Sequence, residues 1–369
     1  MRCKSVQLGR GQAQSVYLDA VDAPTRWRRG WIWFESASAS TIFVLPSIPL
    51  RAPVTIPFQA VAVVGAGAVG SFFGAMLARA GHRVTLIGRA AHVQAIERDG
   101  LQLEMAGRVE TVRLAASTDL AAVRDADLVL LSVKSTDTEA VAQQLAAHLA
   151  NDAMVLSLQN GVENGPAIAR HLRQTVVPAV VYVATAMPGP GSVKHNGRGD
   201  LVIGALNAVA ARDQALSRRL QDLVDLFASA QVPVRISDDV MAELWSKLMV
   251  NCAYNAVSGL AQATYAQLAA RPEILVLQQA VVREVVALAA AEGVALALAP
   301  ALAAMAAIAL AMPGQRSSTA QDMARRKPSE IDHLNGFVAR RGLELGVATP
   351  VNQTLHALVK LVEAGYGGE

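Results

Sequence analysis

The stretch Gly65-Ala-Gly67-Ala-Val-Gly70 most restricts how this chain can fold. Residues 61–64 are valine and alanine, which is typical of a buried strand in a parallel sheet, and residues 71–80 predict a helix. In such a unit the first glycine allows a tight turn, the second lets the backbone approach a pyrophosphate, and the third lets the helix pack closely. A second strand over residues 84–87 completes the unit. The sequence therefore predicts a dinucleotide site made by six consecutive residues, Gly65, Ala66, Gly67, Ala68, Val69 and Gly70.

The end of the second strand indicates which dinucleotide binds. NAD-binding units usually place an Asp or Glu there, where it bonds the ribose 2′-hydroxyl. This chain reads Ile87-Gly88-Arg89 and has no acidic residue nearby. A cation at this place suits a 2′-phosphate, which an acid would repel. We therefore predict NADPH/NADP⁺ as the cofactor, with Arg89 binding its 2′-phosphate; the alternative is an ordinary arginine of the solvated surface.

Composition excludes several classes of protein. A hydrophobic content of 53% in 369 residues fits two compact α/β or helical domains. Cys3 and Cys252 are far apart and lie in no metal-binding pattern, so we predict no disulfide, no metal site and a cytoplasmic location. The net charge is +3, but residues 1–59 hold seven Lys or Arg and three Asp or Glu, which leaves −1 for the remainder. Nucleic-acid binding is therefore not expected.

Residues 1–58 differ in composition from the rest. They hold three of the four tryptophans, show no sustained helix or strand period, and lack the pattern of a secretory signal. We expect an irregular N-terminal extension or a misplaced start of translation, with a basic, aromatic contact to a membrane or partner as the alternative. Residues 294–312 are nearly all apolar, but they are rich in alanine and contain Pro300. They predict a soluble helical hairpin, so we expect no membrane association.

The order of elements predicts two domains. From residue 60 to about 238, short apolar strands alternate with helices, which indicates a doubly wound sheet with antiparallel strands at its far end. After Asp239, a candidate helix cap, the patterns are helical, with later helices predicted over residues 272–292, 301–311, 329–345 and 349–363. We therefore predict an α/β fold with a Rossmann-type NADP-binding domain over residues 59–238. An all-α substrate and dimerisation domain would follow over residues 239–369, with a ligand cleft between the two.

Five polar residues stand out at predicted strand ends and along one helix. Lys134 and Asn160 follow parallel strands, at the edge of the sheet where a cofactor lies. Lys247, Asn251 and Asn255 are spaced four residues apart, so they share one face of an otherwise apolar helix. A stripe of this kind needs polar partners, which a substrate with a carboxylate and a carbonyl would provide. The alternatives are a surface lysine, a turn-forming Asn-Gly pair and a stripe that faces solvent.

A polar segment near the C-terminus adds two candidate site residues, Ser318 and Glu330. Ser317-Ser318 precede the run Lys327-Pro-Ser329-Glu330-Ile-Asp332. Ser329 is typical of a helix N-cap, with Glu330 and Asp332 in the first turn near the positive end of the helix. Judged from the residues alone, this place in the first turn is enough to explain why an acid stands at Glu330.

Taken in order, these motifs resemble the ketopantoate reductases (2-dehydropantoate 2-reductases) over about residues 60–363. The resemblance implies reduction of 2-dehydropantoate to (R)-pantoate with NADPH, a step of pantothenate and coenzyme A biosynthesis, and leaves a homodimer open. It implies that Lys247 is the catalytic lysine. It also implies that Glu330 lies beside the cofactor, holds the substrate hydroxyl and helps to set the charge state of Lys247. Substrate would be bound by Asn251, Asn255, Ser318 and Asn160, while Lys134 and Asn160 would lie near the nicotinamide.

Two departures from the family pattern put the substrate in question. Where some members carry a further substrate-binding asparagine, this chain reads Ala263-Thr-Tyr265. The substrate-side segment over residues 316–327 is unusually basic, with Arg316, Arg325, Arg326 and Lys327. The alternatives are therefore an NADP-dependent reductase or dehydrogenase of another small 2-oxo or 3-hydroxy acid and, in a different class, a non-catalytic NADPH sensor.

Overall fold

Ten strands form one sheet in the computed structural model, which describes residues 58–367. The prediction for residues 1–58 lies outside these residues except for Phe58, which is buried. In chain order the strands are β1 (Ala60–Val64), β2 (Arg83–Ile87), β3 (Leu101–Met105), β4 (Arg108–Val112), β5 (Ala115–Ser117), β6 (Leu128–Leu131), β7 (Met154–Ser157), β8 (Thr175–Ala186), β9 (Ser192–Ile203) and β10 (Val234–Ile236).

Twelve α-helices accompany the strands within the same residues. They are α1 (Ala68–Arg79), α2 (Ala90–Asp99), α3 (Thr138–Leu145), α4 (Asn164–His171), α5 (Gln214–Ser229), α6 (Val240–Ala261), α7 (Tyr265–Ala269), α8 (Pro272–Ala291), α9 (Leu298–Ala311), α10 (Ser318–Ala324), α11 (Asn335–Leu345) and α12 (Pro350–Ala364). We call residues 58–238 the α/β region and residues 239–367 the helical region. Whether they are separate domains, with a boundary at residues 238–239, stays a prediction.

The strands lie in the order β4-β3-β9-β8-β7-β6-β1-β2-β5, and β10 pairs with β9. The six strands from β8 to β5 are mutually parallel, whereas β9 runs antiparallel to β8 and β4 runs antiparallel to β3. The predicted doubly wound α/β fold, with antiparallel strands at its far end, is confirmed. The glycine-rich turn therefore follows the central strand β1 at the edge where parallel strands end.

Helices cover both faces of the sheet. Successive side chains of a strand point to opposite faces, so each strand contributes to both cores. Val61 and Val63 of β1 pack in one core with Phe73 of α1 and Phe227 of α5. Ala62 and Val64 belong to a second core on the other face, which includes Ala142 of α3 and Ile168 of α4. This arrangement explains why the strands read as continuous apolar runs rather than as an alternating pattern.

Helix α6 is the centre of the helical region and packs on the hairpin formed by β8 and β9. Its N-terminus is capped as predicted, because the Asp239 carboxylate accepts a hydrogen bond from the Ala242 backbone N–H at 3.0 Å. Val180 of β8 and Val202 of β9 share a core with Leu248 of α6. The face of α6 that carries Leu248 is thereby held against this hairpin.

The predicted helix over residues 329–345 is wrong in its first part. Residues 331–333 form a short 3₁₀ turn, and α11 begins only at Asn335. Ser329 does not cap α11, because its hydroxyl donates a hydrogen bond at 2.6 Å to the carboxylate of the buried Glu363. This partner from α12 replaces the cap and leaves Glu330 in an irregular turn.

Several elements escaped the sequence prediction, namely β3, β5, α2, α5, α7 and α10. The hairpin predicted over residues 294–312 contains one helix, α9, which is too short to span a membrane. Within the described residues, α8 alone is long and apolar enough to do so, and 39% of its most apolar window is buried inside the protein. A buried helix of a soluble core has the same length and composition, so α8 is weak evidence for a membrane span.

Candidate active site

Lys247 extends from α6 to strand β8. Its Nζ donates a hydrogen bond to the Val181 carbonyl oxygen at 2.6 Å and lies 5.9 Å from the centre of the Tyr182 ring. Burial lowers the pKa of Lys247 to about 8; the charge of Glu330 opposes this decrease, and the charge of Arg198 adds to it. A lysine with this pKa can hold and release a proton near neutral pH.

A cavity of about 640 Å³ lies against Lys247. It is bounded by the β8–β9 hairpin, α6, α9 and the segment that leads into α10. Among the described residues that line it, Lys247 and Arg198 are charged and none is acidic. Two cations in a lining whose described part has no acidic residue favour an anionic ligand, although Asp200, outside the lining, pairs with Arg198.

The polar stripe of α6 opens into this cavity. Asn251 and Asn255 line it one and two turns beyond Lys247. Ser318 and Asn160, which come from α10 and from the loop after β7, line it as well. The fold therefore brings the predicted catalytic lysine together with all four residues predicted to bind substrate.

The start of α10 is fixed to α6 by hydrogen bonds. The Ser317 hydroxyl caps α10 by accepting from the Ala320 N–H at 3.0 Å, and it donates to the Asn255 carbonyl oxygen at 3.3 Å. The Asn255 side-chain amide, which is buried, donates to the Ser318 hydroxyl at 3.4 Å. The amide and the hydroxyl that would face a substrate are thus held at one place.

Glu330 links the helical region to the loops after β6 and β7. Its Oε1 accepts from the backbone N–H and the hydroxyl of Ser135, at 2.8 and 2.9 Å, and its Oε2 accepts from the Asn160 side-chain amide at 3.4 Å. Because α11 begins only at residue 335, the chain at Glu330 is free to approach these loops. Glu330 is not among the residues that line the cavity, yet its charge raises the pKa of Lys247.

The Lys134 side chain, just beyond the end of β6, is held by two hydrogen bonds. Its Nζ donates to the Asp322 carboxylate at 3.1 Å and to the Pro328 carbonyl oxygen at 2.7 Å. Burial raises the pKa of Asp322, and the charge of Lys134 opposes this increase. Lys134 therefore joins the two regions by an ion pair, and a contact with the nicotinamide stays a prediction.

The glycine-rich loop fits a bound pyrophosphate. Gly65 has a φ of +100°, and a Cβ there would lie 2.5 Å from the Val133 backbone nitrogen, so the turn requires glycine. Gly67 has an ordinary φ of −80° and open space where its Cβ would be. Helix α1 begins directly after it with no side-chain cap, which leaves its first N–H groups for an anion.

Arg89 lies two residues beyond the end of β2 and immediately before the first residue of α2. The residue is exposed. Gly88 lies against the glycine-rich loop, because a Cβ added to it would be 2.7 Å from the Ala66 Cβ. The exposed Arg89 guanidinium thus follows a strand end that contacts the loop, which fits the 2′-phosphate of a nucleotide bound there.

Sequence reasoning missed four residues of this site, which are Ser135, Tyr182, Arg198 and Tyr265. Arg198 had a signal in the sequence, since an arginine between Gly197 and Gly199 suggests an unusual backbone at a hairpin. Tyr265 stands at the family departure noted above and lines the cavity, with its ring 4.6 Å from that of Tyr254. Burial and the neighbouring Tyr254 raise the pKa of Tyr265 to about 12, so it is neutral at physiological pH.

Comparison with known proteins identifies the family. The family described as Ketopantoate reductase PanE/ApbA matches residues 61–208, and its C-terminal part matches residues 239–363. The 2-dehydropantoate 2-reductase of Vibrio cholerae is 32% identical over 307 residues, which cover 83% of this chain and 98% of that protein. The chain belongs to the ketopantoate reductase family. The resemblance inferred from the motifs is thereby confirmed, and the chain is an oxidoreductase of a family that uses a nicotinamide cofactor.

Solved structures agree with this membership. A PanE/ApbA family ketopantoate reductase from Ralstonia eutropha JMP134 is 50% identical, with a TM-score of 0.76 over 84% of this chain and 99% of the other. D-mandelate dehydrogenase, in a ternary structure with NADH and anilino(oxo)acetate, is 28% identical, with a TM-score of 0.77 over 84% of this chain and 99% of the other. A protein of similar fold thus binds NADH and anilino(oxo)acetate, so the choice of substrate and cofactor is a question for the individual site.

Proposed function

We propose that this chain reduces 2-dehydropantoate to (R)-pantoate with NADPH, a step of pantothenate and coenzyme A biosynthesis, with Lys247 as the general acid. The observation that carries the proposal is the position of Lys247 beside a cavity with no acidic residue in its described wall. The 2-dehydropantoate 2-reductases among the relatives support the substrate.

The proton-transfer chemistry follows from the surroundings of Lys247. When bound, the nicotinamide supplies a hydride to the carbonyl carbon of the 2-oxo acid. Negative charge then develops on the carbonyl oxygen, where the Lys247 ammonium stabilises it and donates its proton. The neutral lysine is protonated again from solvent. With a pKa of about 8, Lys247 is mainly protonated at pH 7 and still releases its proton more easily than an ordinary lysine.

The remaining residues have binding and positioning roles in this proposal. Asn251, Asn255, Ser318 and Asn160 hold the substrate by hydrogen bonds from four places around the cavity. Glu330 keeps the loops after β6 and β7 in place and supports the charge of Lys247. The family resemblance implies that it also accepts from the substrate hydroxyl, for which the substrate would have to extend beyond the lining of the cavity. Closure of the two regions around residue 238 would exclude water from the reaction.

The cofactor would be held by residues of the α/β region. The first N–H groups of α1 and the loop Gly65, Ala66, Gly67, Ala68, Val69 and Gly70 bind the pyrophosphate. Arg89 binds the 2′-phosphate, and no acidic residue at the end of β2 opposes it. Lys134 and Asn160 lie near the nicotinamide end. A cytoplasmic location and a homodimer remain predictions.

The test is the oxidation of NADPH in the presence of 2-dehydropantoate, followed by the absorbance of the reduced cofactor. Wild type, Lys247→Ala and the surface variant Lys194→Ala are compared. General acid catalysis contributes about 10²- to 10⁴-fold, so we expect kcat to fall by this factor in Lys247→Ala alone. Turnover that persists in Lys247→Ala would show that another group donates the proton. Tight NADPH binding without turnover of any oxo acid would favour the sensor.

A second candidate is the reduction of a bulkier 2-oxo acid. Its support is the similarity to D-mandelate dehydrogenase and the apolar part of the cavity wall, which includes Tyr265, Ile308 and Met312. A panel of 2-oxo acids with methyl, branched and phenyl substituents, each measured with NADPH and with NADH, separates the two candidates. A higher kcat/KM for the phenyl compound than for 2-dehydropantoate would favour this one.

A further inference from the structure

We propose that Arg198 binds the carboxylate of the substrate and thereby selects 2-oxo acids over neutral carbonyl compounds. The inference rests on the proposed function, since it assigns one charged group of the oxo acid to one residue of the same cavity. None of the motifs that carry the family resemblance includes Arg198. It is one of the two charged residues in the described lining, the other being Lys247.

The backbone holds Arg198 in an uncommon conformation. Its φ is +54°, and it lies between Gly197 and Gly199, with φ of +150° and +144°. The pairing of β8 with β9 shifts in register next to it, between Tyr182 and Val183. A left-handed conformation costs energy for a residue with a Cβ, and such residues are concentrated at functional sites. The irregular backbone of β9 therefore directs the Arg198 side chain to the cavity.

Neighbouring side chains orient the Arg198 guanidinium. Its carbon lies 4.2 Å from the centre of the Tyr182 ring. Nε and Nη2 donate to the two oxygens of the Asp200 carboxylate, at 3.0 and 2.7 Å. No hydrogen-bond partner for the third nitrogen, Nη1, lies within the described residues. A guanidinium fixed along one edge still has donors for a second carboxylate, in the planar geometry that carboxylates prefer.

The two cations of the cavity match the two adjacent polar groups of a 2-oxo acid, the carboxylate and the carbonyl. Lys247 Nζ and the Arg198 guanidinium both lie close to the Tyr182 ring, at 5.9 and 4.2 Å from its centre. In a 2-oxo acid the carboxylate and the carbonyl are bonded to each other, so neighbouring cations can bind both at once. With Lys247 at the carbonyl oxygen, Arg198 is the group left for the carboxylate.

The charges of the site are consistent with this assignment. In the free protein the charge of Arg198 lowers the pKa of Lys247. A carboxylate bound to Arg198 would offset that effect, so Lys247 would remain protonated in the complex and ready to donate. Lys134, which pairs with Asp322, does not line the cavity and so is not placed to bind the carboxylate.

The experiment compares an acid with a neutral compound of the same carbon skeleton. Wild type, Arg198→Gln, Arg198→Lys and Lys194→Gln are assayed with 2-dehydropantoate and with its uncharged lactone. Lys194 is the matched control, because it lies on the same strand, pairs with Glu104 and does not line the cavity. Thermal unfolding of each variant checks that the hairpin is intact.

We expect Arg198→Gln to lower kcat/KM for the acid by about 10- to 100-fold, the usual effect of losing a hydrogen bond between charged groups. The lactone should change by less than about threefold, and Arg198→Lys should lie between Arg198→Gln and wild type for the acid. Lys194→Gln should match wild type with both compounds. An equal loss for acid and lactone in Arg198→Gln would overturn the inference, because Arg198 would then act only by positioning its neighbours.

A binding measurement separates this inference from the proposed reaction. Oxamate carries a carboxylate next to a carbonyl and cannot be reduced, so its affinity for the NADPH-loaded protein is measured by calorimetry. If wild type binds oxamate and Arg198→Gln loses it, the carboxylate site stands even where 2-dehydropantoate proves not to be the substrate. If both bind oxamate equally, the inference is wrong whatever the reaction is.

Discussion

The dinucleotide loop and the substrate cavity are assembled in opposite ways. The loop is local, because residues 65–70 form it together with the ends of the adjacent strands. The cavity takes Asn160, Arg198, Lys247 and Ser318 from four places that span more than 150 residues of sequence. A local site depends on the backbone conformation of a few residues, whereas an assembled site depends on the packing of distant elements. The two should therefore respond differently to substitution.

The largest expected effect is in the local site, at Gly65. Valine there would have a φ of +100° and a Cβ 2.5 Å from the Val133 backbone nitrogen. Strain and overlap with backbone atoms should lower the free energy of unfolding by about 3 kcal/mol and abolish dinucleotide binding. Chemical denaturation and fluorescence titration with NADPH measure the two effects.

Substitutions of two other glycines provide the controls. Gly67→Ala has an ordinary φ and open space, so it should leave the free energy of unfolding unchanged and weaken NADPH binding by blocking the approach of the pyrophosphate. Gly189→Ala, which also meets no atoms within 4 Å, should change neither quantity. If Gly65→Val binds NADPH like wild type, the loop does not depend on its backbone in the way we infer.

The second effect tests the choice of cofactor. Arg89→Ala should raise the Kd for NADPH by about 10- to 100-fold, because a charged hydrogen bond to the 2′-phosphate is lost. The Kd for NADH should change little, since NADH lacks that phosphate. Arg83→Ala, at the other end of the same strand, is the control. A constant ratio of the two dissociation constants in Arg89→Ala would refute the assignment.

The difference between the two sites also explains what the sequence could predict. The glycine-rich turn, the parallel strands β1, β2, β6 and β7 and the Asp239 cap were predicted correctly, because each depends on residues close together in the chain. The stripe on α6 was visible from its spacing of four residues. The break before α11 was not predicted, since the partner that takes Ser329 away from its capping role is Glu363 in a distant helix.

Contacts between regions were beyond sequence reasoning for the same reason. Lys134 was expected near the nicotinamide, but no local pattern indicates that Asp322 and the Pro328 carbonyl oxygen reach it. Arg198 was missed because its role depends on Tyr182 and Asp200 around an irregular hairpin. Tyr265 was noted only as a departure from the family, and its place in the cavity wall depends on how α7 packs.

The third effect concerns the charge of the assembled site. If Lys247 is the general acid, as we propose, it acts in the protonated form, so kcat/KM should be constant below pH 8 and fall about tenfold per pH unit above its pKa of about 8. Glu330→Gln removes a charge that raises this pKa, so the decrease should begin at lower pH. Arg198→Gln removes a charge that lowers it, so the decrease should begin at higher pH.

The pH profiles of kcat/KM for wild type, Glu330→Gln, Arg198→Gln and the surface variant Glu344→Gln measure these shifts. Glutamine at position 330 can still accept both hydrogen bonds from Ser135, but it loses the one at 3.4 Å from the Asn160 amide. A shift in the pH at which kcat/KM falls therefore reports the charge, whereas an equal decrease at every pH reports the lost contact. Identical profiles for wild type and Glu330→Gln would show that Glu330 does not control the proton on Lys247.

The smallest expected effect is at the ion pair that joins the two regions, Lys134 with Asp322. The Lys134 side chain is 44% exposed, so the coupling energy in a double-mutant cycle of Lys134→Gln and Asp322→Asn should be below about 1 kcal/mol. If Lys134 also serves the cofactor, Asp322→Asn frees it and should tighten NADPH binding by a factor of about 2 to 5, while Lys134→Gln weakens it. Unchanged NADPH affinity in both variants would assign Lys134 to the contact between regions alone. The local site would then end at the glycine-rich loop and Arg89, and every polar residue beyond them would belong to the assembled one.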